Sequence, residues 1–372
     1  MFVFNIDLNN TEFSEKKIIE FAERKAVTQN ILKEYVVTTL LCDRNVLAEL
    51  CASGIVPGES LRHAALEDIR KLFSSLSEEH RFDGYIPSVK RKLPFREYQK
   101  SLENIVDADT AEELLLRIIS HYTAFGSGEV AQYIAYRWEH ELKGIDNPDK
   151  SELSKLFRVE RQKQELVHNT LNFLDNRPAN NVLLYGNSGC GKSSMVKALL
   201  NEYYSRGLRM VQINKEYLTE LPLLITELKE RSFRYIVFMD DLSFEGDDAG
   251  YKTLKTILEG GVEGQPDNIL FYATSNRMHL ISESWAERRG DDIHAADTRC
   301  EKLSLSERFG IRISFLSPGQ AEYLDITASL LREHNIEFSK ELEAEALKWS
   351  MLYNGKSGRT ASQFVRSVLA QR

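Results

Sequence analysis

Asn181-Val-Leu-Leu-Tyr-Gly-Asn-Ser-Gly-Cys-Gly-Lys-Ser-Ser194 joins an apolar run to a helical pattern through a glycine-rich turn. The run Val182 to Tyr185 predicts a short buried strand. From Lys192 onward, Met195, Val196, Ala198, Leu199 and Leu200 are apolar, with Lys197, Asn201 and Glu202 between them, which predicts an amphipathic helix. Gly186, Gly191, Lys192 and Ser193 between strand and helix form the pattern GxxxxGKS. Its glycines let the backbone turn tightly and aim successive N–H groups inward, a nest for phosphate oxygens. The helix that follows adds the positive end of its dipole. Lys192 has the reach for the β- and γ-phosphates, and the Ser193 hydroxyl suits Mg²⁺. Asn187, Ser188, Gly189, Cys190 and Ser194 complete the expected nucleotide loop. Cys190 reads as a small residue that fits there rather than as a redox switch.

Downstream, strands and helices alternate. Strands are expected at Arg209–Asn214, Tyr235–Met239, Asn268–Ala273 and Ile311–Leu316, with helices at Leu218–Glu230 and Tyr251–Leu258. This order predicts an α/β fold, a parallel P-loop sheet with helices on both faces. After Pro318 only helices follow: Gln320–Arg332, Lys340–Tyr353 and Ala361–Arg372. Upstream, Ser14 to about residue 144 is mostly helical in pattern, after an alternating Phe2, Phe4, Ile6, Leu8 arm. Val130–Leu142, with Trp138, is expected to be an amphipathic helix, and Gly144–Lys150 a linker. The expected domains are 1–150, mostly helical; 151–317, the α/β domain; and 318–372, a helical lid.

The strand Tyr235-Ile-Val-Phe-Met ends in Asp240 and Asp241. Beside a phosphate loop, Asp240 is assigned to the metal with Ser193, and Asp241 to the attacking water, with Glu245 as the alternative base. Asp247 and Asp248 read as a solvated acidic loop. The strand Asn268-Ile-Leu-Phe-Tyr-Ala-Thr-Ser-Asn276 ends in polar side chains. Asn276 is the candidate to meet the γ-phosphate and water, with Thr274 second.

The chain has 372 residues, 42% hydrophobic and 28% charged, so a globular protein of two or more domains is expected. The net charge of −8 argues against wholesale binding of nucleic acid or an anionic membrane. Lys90, Arg91, Lys92, Arg96 and Lys100, mixed with Phe95 and Tyr98, read as a solvated loop in preference to a nucleic-acid patch. The four cysteines lack CxxC spacing, so neither zinc nor a disulfide framework is expected. No signal peptide or membrane span is read, and the cytoplasm is the expected compartment.

From about residue 151 to 372 the chain resembles an AAA+ ATPase. Gly186–Ser193 match Walker A, Ile236–Asp241 match Walker B and Asn276 matches sensor 1. Ser306-Glu-Arg-Phe-Gly310 resembles the box carrying the arginine finger, Arg308, and Ser357-Gly-Arg-Thr360 resembles sensor 2, with Arg359. Ala179-Asn-Asn-Val-Leu-Leu, Asp240-Asp-Leu-Ser-Phe, Ala273-Thr-Ser-Asn-Arg and Leu303-Ser-Leu-Ser-Glu-Arg-Phe-Gly are similar to a bacterial AAA+ group of predicted ATP-binding proteins without a settled function. The resemblance implies ATP and Mg²⁺ as cofactors, an adenine contact near Val159, a homo-oligomer, and a protein or DNA client remodelled by hydrolysis. Walker B ends Asp-Asp here, where AAA+ proteins usually end Asp-Glu, which keeps an ATP-binding switch or scaffold with little turnover in view. A P-loop phosphotransferase is the further alternative. Leu316-Ser-Pro-Gly-Gln320 imitates an ABC signature but follows Walker B instead of preceding it, and Asn276-Arg-Met-His lacks a guanine reader.

Overall fold

In the computed structural model, β3 (Val182–Gly186) is the strand around which the sheet is arranged. The described residues are 3–4, 15–75, 82, 85–88, 95–244, 249–260, 264–276, 305–353 and 355–371. The sheet also contains β1 (Ala135–Trp138), β2 (Leu142–Gly144), β4 (Leu208–Ile213), β5 (Arg234–Met239), β6 (Ile269–Ser275) and β7 (Ile311–Phe315). Its seven strands lie in the order β2-β1-β4-β5-β6-β3-β7, and the six from β1 to β7 pair in parallel. This is the expected α/β class, a largely parallel sheet with a helical C-terminal region and a helical N-terminal region.

Every residue of β6 is buried, as its unbroken apolar run requires of a central parallel strand. Register then decides what meets at the strand ends. Leu184 lies opposite Thr274 and Tyr185 opposite Ser275, while Met239 lies opposite Ala273. One residue further along, Asp240 comes beside Thr274 and the glycine loop beside Asn276. On the other flank Gly186 faces Phe315.

Helices α7 (Glu160–Leu174) and α8 (Lys192–Tyr203) bracket β3 in sequence. α8 buries Met195, Val196, Ala198, Leu199 and Leu200, the stripe read from the sequence. Then come α9 (Leu221–Lys229) and α10 (Ala249–Glu259). The last three helices, α11 (Gln320–Glu333), α12 (Lys340–Leu352) and α13 (Gly358–Ala370), share a core that includes Tyr323, Leu331, Ala346, Ala361, Phe364 and Val365. Ser357 starts α13 by accepting a hydrogen bond from the Thr360 N–H at 3.1 Å, an N-cap that fixes where the helix begins.

The chain divides into two compact units: Met1–Ile134 with Lys143–Asn147 and Glu230–Ser232, and Ala135–Leu142 with Pro148–Lys229 and Phe233–Arg372. The first unit contains α1 (Glu15–Lys25), α2 (Ile31–Cys42), α3 (Val46–Ala52), α4 (Glu59–Ser75), α5 (Arg96–Val106) and α6 (Ala111–Phe125). One core joins Leu40, Leu47, Ile69, Ile105, Leu114 and Ile118 from five of them. Ser101 Oγ and His121 Nδ1 meet there at 2.9 Å. Burial pushes the His121 pKa down to about 3, and its Nε2 has no hydrogen-bond partner among the described residues. That imidazole is a poor base and a packing element.

The helix expected over Val130–Leu142 is not formed. Glu129–Gln132 make a single 3-10 turn, and Ala135–Trp138 pair with Met210–Ile213 as β1. Parallel pairing with an already buried strand outweighs the helical spacing of Val130, Ile134 and Trp138. The end of the expected linker is fastened to α8: Asn201 Nδ2 donates to the carbonyls of Asp149 and Ser151 at 2.8 and 2.7 Å. The arm residues Phe2, Ile6 and Leu8, the basic residues Lys90–Lys92, and Glu245, Asp247 and Asp248 lie outside the described residues. No helix among the described residues is long and apolar enough to cross a membrane.

Candidate functional site

The turn from β3 to α8 is made by three glycines with positive φ: Gly186 at 129°, Gly189 at 76° and Gly191 at 92°. Gly186 is forced by space as well as by conformation, because a Cβ there would stand 1.9 Å from the Phe315 carbonyl oxygen. That carbonyl accepts the Asn187 N–H at 3.0 Å, and Asn187 Nδ2 donates to Ser317 Oγ at 2.7 Å, tying the loop to the end of β7. From the other side, the Arg359 N–H donates to the Gly189 carbonyl at 3.1 Å. The loop is thus held between the end of β7 and the first turn of α13.

Lys192 is 6% exposed. Its Nζ donates to the carbonyls of Gly186 and Asn187, both at 2.8 Å, and to Asn276 Oδ1 at 3.1 Å. Burial pushes its pKa below the usual lysine range, while the nearby carboxylates of Asp241 and Asp240 act in the opposite direction. Cys190, in the same loop, has its thiol pKa pushed up by burial, which disfavours a reactive thiolate.

Next to the lysine, the Ser193 hydroxyl donates to Asp240 Oδ1 at 2.5 Å. Thr274 Oγ1 donates to the same oxygen at 2.6 Å. Asp241 sits in left-handed backbone, φ 52°, with its N–H donating to Thr274 Oγ1 at 2.9 Å. Its Oδ1 accepts Asn276 Nδ2 at 2.6 Å. Asn276 therefore bridges Lys192 and Asp241, and Asp240 joins α8 to β6.

These groups open into a cleft of about 1110 Å³ that runs from the loop to the C-terminal helices. Val159 lines it at the start of α7, and Arg359 lines it from α13. Of the site residues singled out from the sequence, Gly186 and Asn187 are not among its lining residues, and Arg308 does not reach it. The Arg308 guanidinium pairs with Glu259 at 3.0 Å on the surface.

Two features were not read from the sequence. Arg366 and Gln363 line the cleft beside Arg359. Gln363 lies four residues and Arg366 seven residues after Arg359, on one helical face, and that was the available signal. The second feature is the double engagement of Thr274, which depends on strand register and left no local signal. Ser193 and Asp240 offer a hydroxyl and a carboxylate at one point, hard oxygen donors of the kind Mg²⁺ takes. The glycine-rich loop, with Lys192 at the start of α8, suits a polyphosphate.

A family model described as a protein of unknown function, DUF815, matches residues 131–372. Among solved structures, the Thermotoga maritima RuvB Holliday junction branch migration motor is similar at 15% identity and TM-score 0.42, with 59% of this chain and 64% of that chain covered. The Aeropyrum pernix ORC1 protein in complex with DNA is similar at 16% identity and TM-score 0.41, covering 58% and 60%. A DNA replication initiation factor gives 18% identity and TM-score 0.38, covering 59% and 64%. The chain thus spans less than two thirds of the length of each of these. No curated protein matches it in sequence.

Proposed function

Since the chain belongs to the DUF815 family, proteins of unknown function, we propose from the chemistry of its site that it is an AAA+ ATPase. It binds ATP with Mg²⁺, hydrolyses it, and uses the cycle to remodel a client in the cytoplasm as a homo-oligomer. The observation that carries this reading is the 2.5 Å contact between Ser193 Oγ and Asp240 Oδ1 beside the glycine loop. It joins the two oxygen donors a P-loop site needs for Mg²⁺ to the lysine and amides it needs for phosphate.

Each residue has a task in this reading. The loop Gly186–Ser194 and Lys192 hold the phosphates, Val159 touches the base, and Ser193 and Asp240 hold the metal. Bound Mg²⁺ neutralises phosphate charge. Asp241, oriented by Asn276, takes the proton of the attacking water, and Arg359 on α13 meets the terminal phosphate. Arg308, outside its own cleft, serves the site of a neighbouring subunit. The helical unit up to Ile134 acts as the client-facing domain, the sheet with its helices as the motor and 318–372 as its lid. The client is a protein, or DNA if single-stranded DNA stimulates turnover.

A second reading, an ATP-gated oligomeric switch with little turnover, draws on Asp241. Its side chain is one methylene shorter than the glutamate common in AAA+ proteins, and one of its oxygens already accepts from Asn276. Steady-state phosphate release separates the two. Asp241→Asn is expected to lose about 10²-fold or more in turnover with ATP affinity retained. Turnover at the native rate in that variant would reject Asp241 as the base. Wild-type chain that binds MgATP without measurable release would favour the switch.

A further inference from the structure

Thr274 is 1% exposed, at the end of the fully buried strand β6. Its hydroxyl does two things at once: it donates to Asp240 Oδ1 at 2.6 Å and accepts the Asp241 N–H at 2.9 Å. A single hydroxyl therefore fixes the side chain of one acidic residue and the backbone of the next. Both acids need fixing. Asp240 Oδ1 receives Ser193 as well, so its carboxylate orientation sets the separation of the two candidate metal donors. Asp241 occupies left-handed backbone at φ 52°, a conformation that favours glycine and that its surroundings hold in place.

We infer that Thr274 is a positioning residue for the metal carboxylate, aligning Asp240 with Ser193 through its hydroxyl, rather than a reader of the terminal phosphate. The inference rests on the MgATP reading above. Thr274 lies opposite Leu184, two residues before the loop begins, and its one donor is spent on Asp240. Asn276, two residues further on, is the member of this strand end that reaches Lys192 and Asp241. The polar end of β6 thus divides its work: Thr274 organises the metal side, Ser275 holds the turn after β5 by donating to the Leu242 carbonyl at 2.8 Å, and Asn276 faces the phosphate side. Groups that orient a metal ligand typically change metal affinity by about 10- to 100-fold when removed.

The test compares Thr274→Ser with Thr274→Ala in the full chain. The pair differs only in the hydroxyl, so any loss of bulk is common to both. Nucleotide affinity is measured by equilibrium titration of ADP in EDTA and then over a Mg²⁺ series, which gives a Mg²⁺ half-saturation independent of turnover. The Ala variant is expected to raise that half-saturation about tenfold or more, with ADP affinity in EDTA unchanged, and the Ser variant to stay near wild type. Thr274→Val, close in shape to threonine, is expected to behave as Ala. Equal Mg²⁺ half-saturation in Ser, Ala and wild type would overturn the positioning role while leaving nucleotide binding standing. A matched loss of ADP affinity in EDTA for Ala and Ser alike would show a packing role and overturn it too. Wild-type chain without Mg²⁺-dependent nucleotide binding would overturn the underlying reading as well.

Discussion

Replacing Arg308 with alanine is expected to leave MgATP affinity unchanged and to lower ATP turnover by about 10³-fold. The expectation follows from where the residue stands. Arg308 is absent from the cleft of its own chain, and its guanidinium meets Glu259 at 3.0 Å with about half of the side chain exposed. A surface ion pair of this kind contributes about 0–1 kcal/mol, so loss of folding does not explain a thousandfold effect. An arginine delivered to a neighbour's γ-phosphate does explain it, because charge stabilisation in the transition state leaves ground-state binding untouched. Mixing the Arg308→Ala chain with a Lys192→Ala chain supplies one subunit with an intact nucleotide loop and another with an intact arginine. Phosphate release from the mixture is expected to exceed that of either variant alone. Turnover within about threefold of wild type in Arg308→Ala would make this arginine a surface residue and remove the argument for a neighbouring subunit in the site. Monomeric behaviour with ATP and Mg²⁺ at high protein concentration would weigh the same way.

The largest effect on folding is expected at Gly186. A methyl group there would sit 1.9 Å from the Phe315 carbonyl oxygen and 2.8 Å from its carbon, both main-chain atoms of the adjacent strand β7. Neither can rotate away as a side chain can. The backbone angle of 129° is itself closed to other residues at reasonable cost. Relief requires β3 and β7 to separate where Gly186 pairs with Phe315, at the point where the Asn187 N–H also bonds to that carbonyl. Gly186→Ala is therefore expected to lose roughly 4 kcal/mol or more in urea unfolding. Gly191→Ala provides the contrast. Its Cβ would meet only Leu156 Cδ2 at 3.8 Å, so the cost is conformational alone, about 1–2 kcal/mol. Similar losses in the two variants would mean that the close approach of Phe315 does not restrain the loop.

The glycine-rich loop was legible because its signal is local. Glycines at fixed offsets, a lysine and a serine follow one another along the chain, and strand and helix patterns flank them. The core strands were legible for a related reason: runs such as Tyr235–Met239 are too apolar and too short for anything but a buried strand. β1 was not legible. Val130, Ala131, Ile134, Ala135 and Trp138 recur at helical spacing, and the partner that makes this segment a strand lies more than seventy residues away at Met210–Ile213. Asp240 and Asn276 were assigned from their strand ends, but the bond between Thr274 and Asp240 depends on the register of β5 against β6, which no stretch of sequence specifies by itself. Arg366 was missed for want of a motif, although its spacing from Arg359 places it on the cleft face.

ATP binding by the purified full chain, titrated calorimetrically with Mg²⁺ and again with EDTA, tests the site most directly. Saturable binding at one site per chain, strengthened by Mg²⁺ and lost in Lys192→Ala, is the expected result. No Mg²⁺-dependent affinity for adenine nucleotides in the folded wild-type chain would contradict the assignment of Ser193 and Asp240 to a metal and of the glycine loop to phosphate.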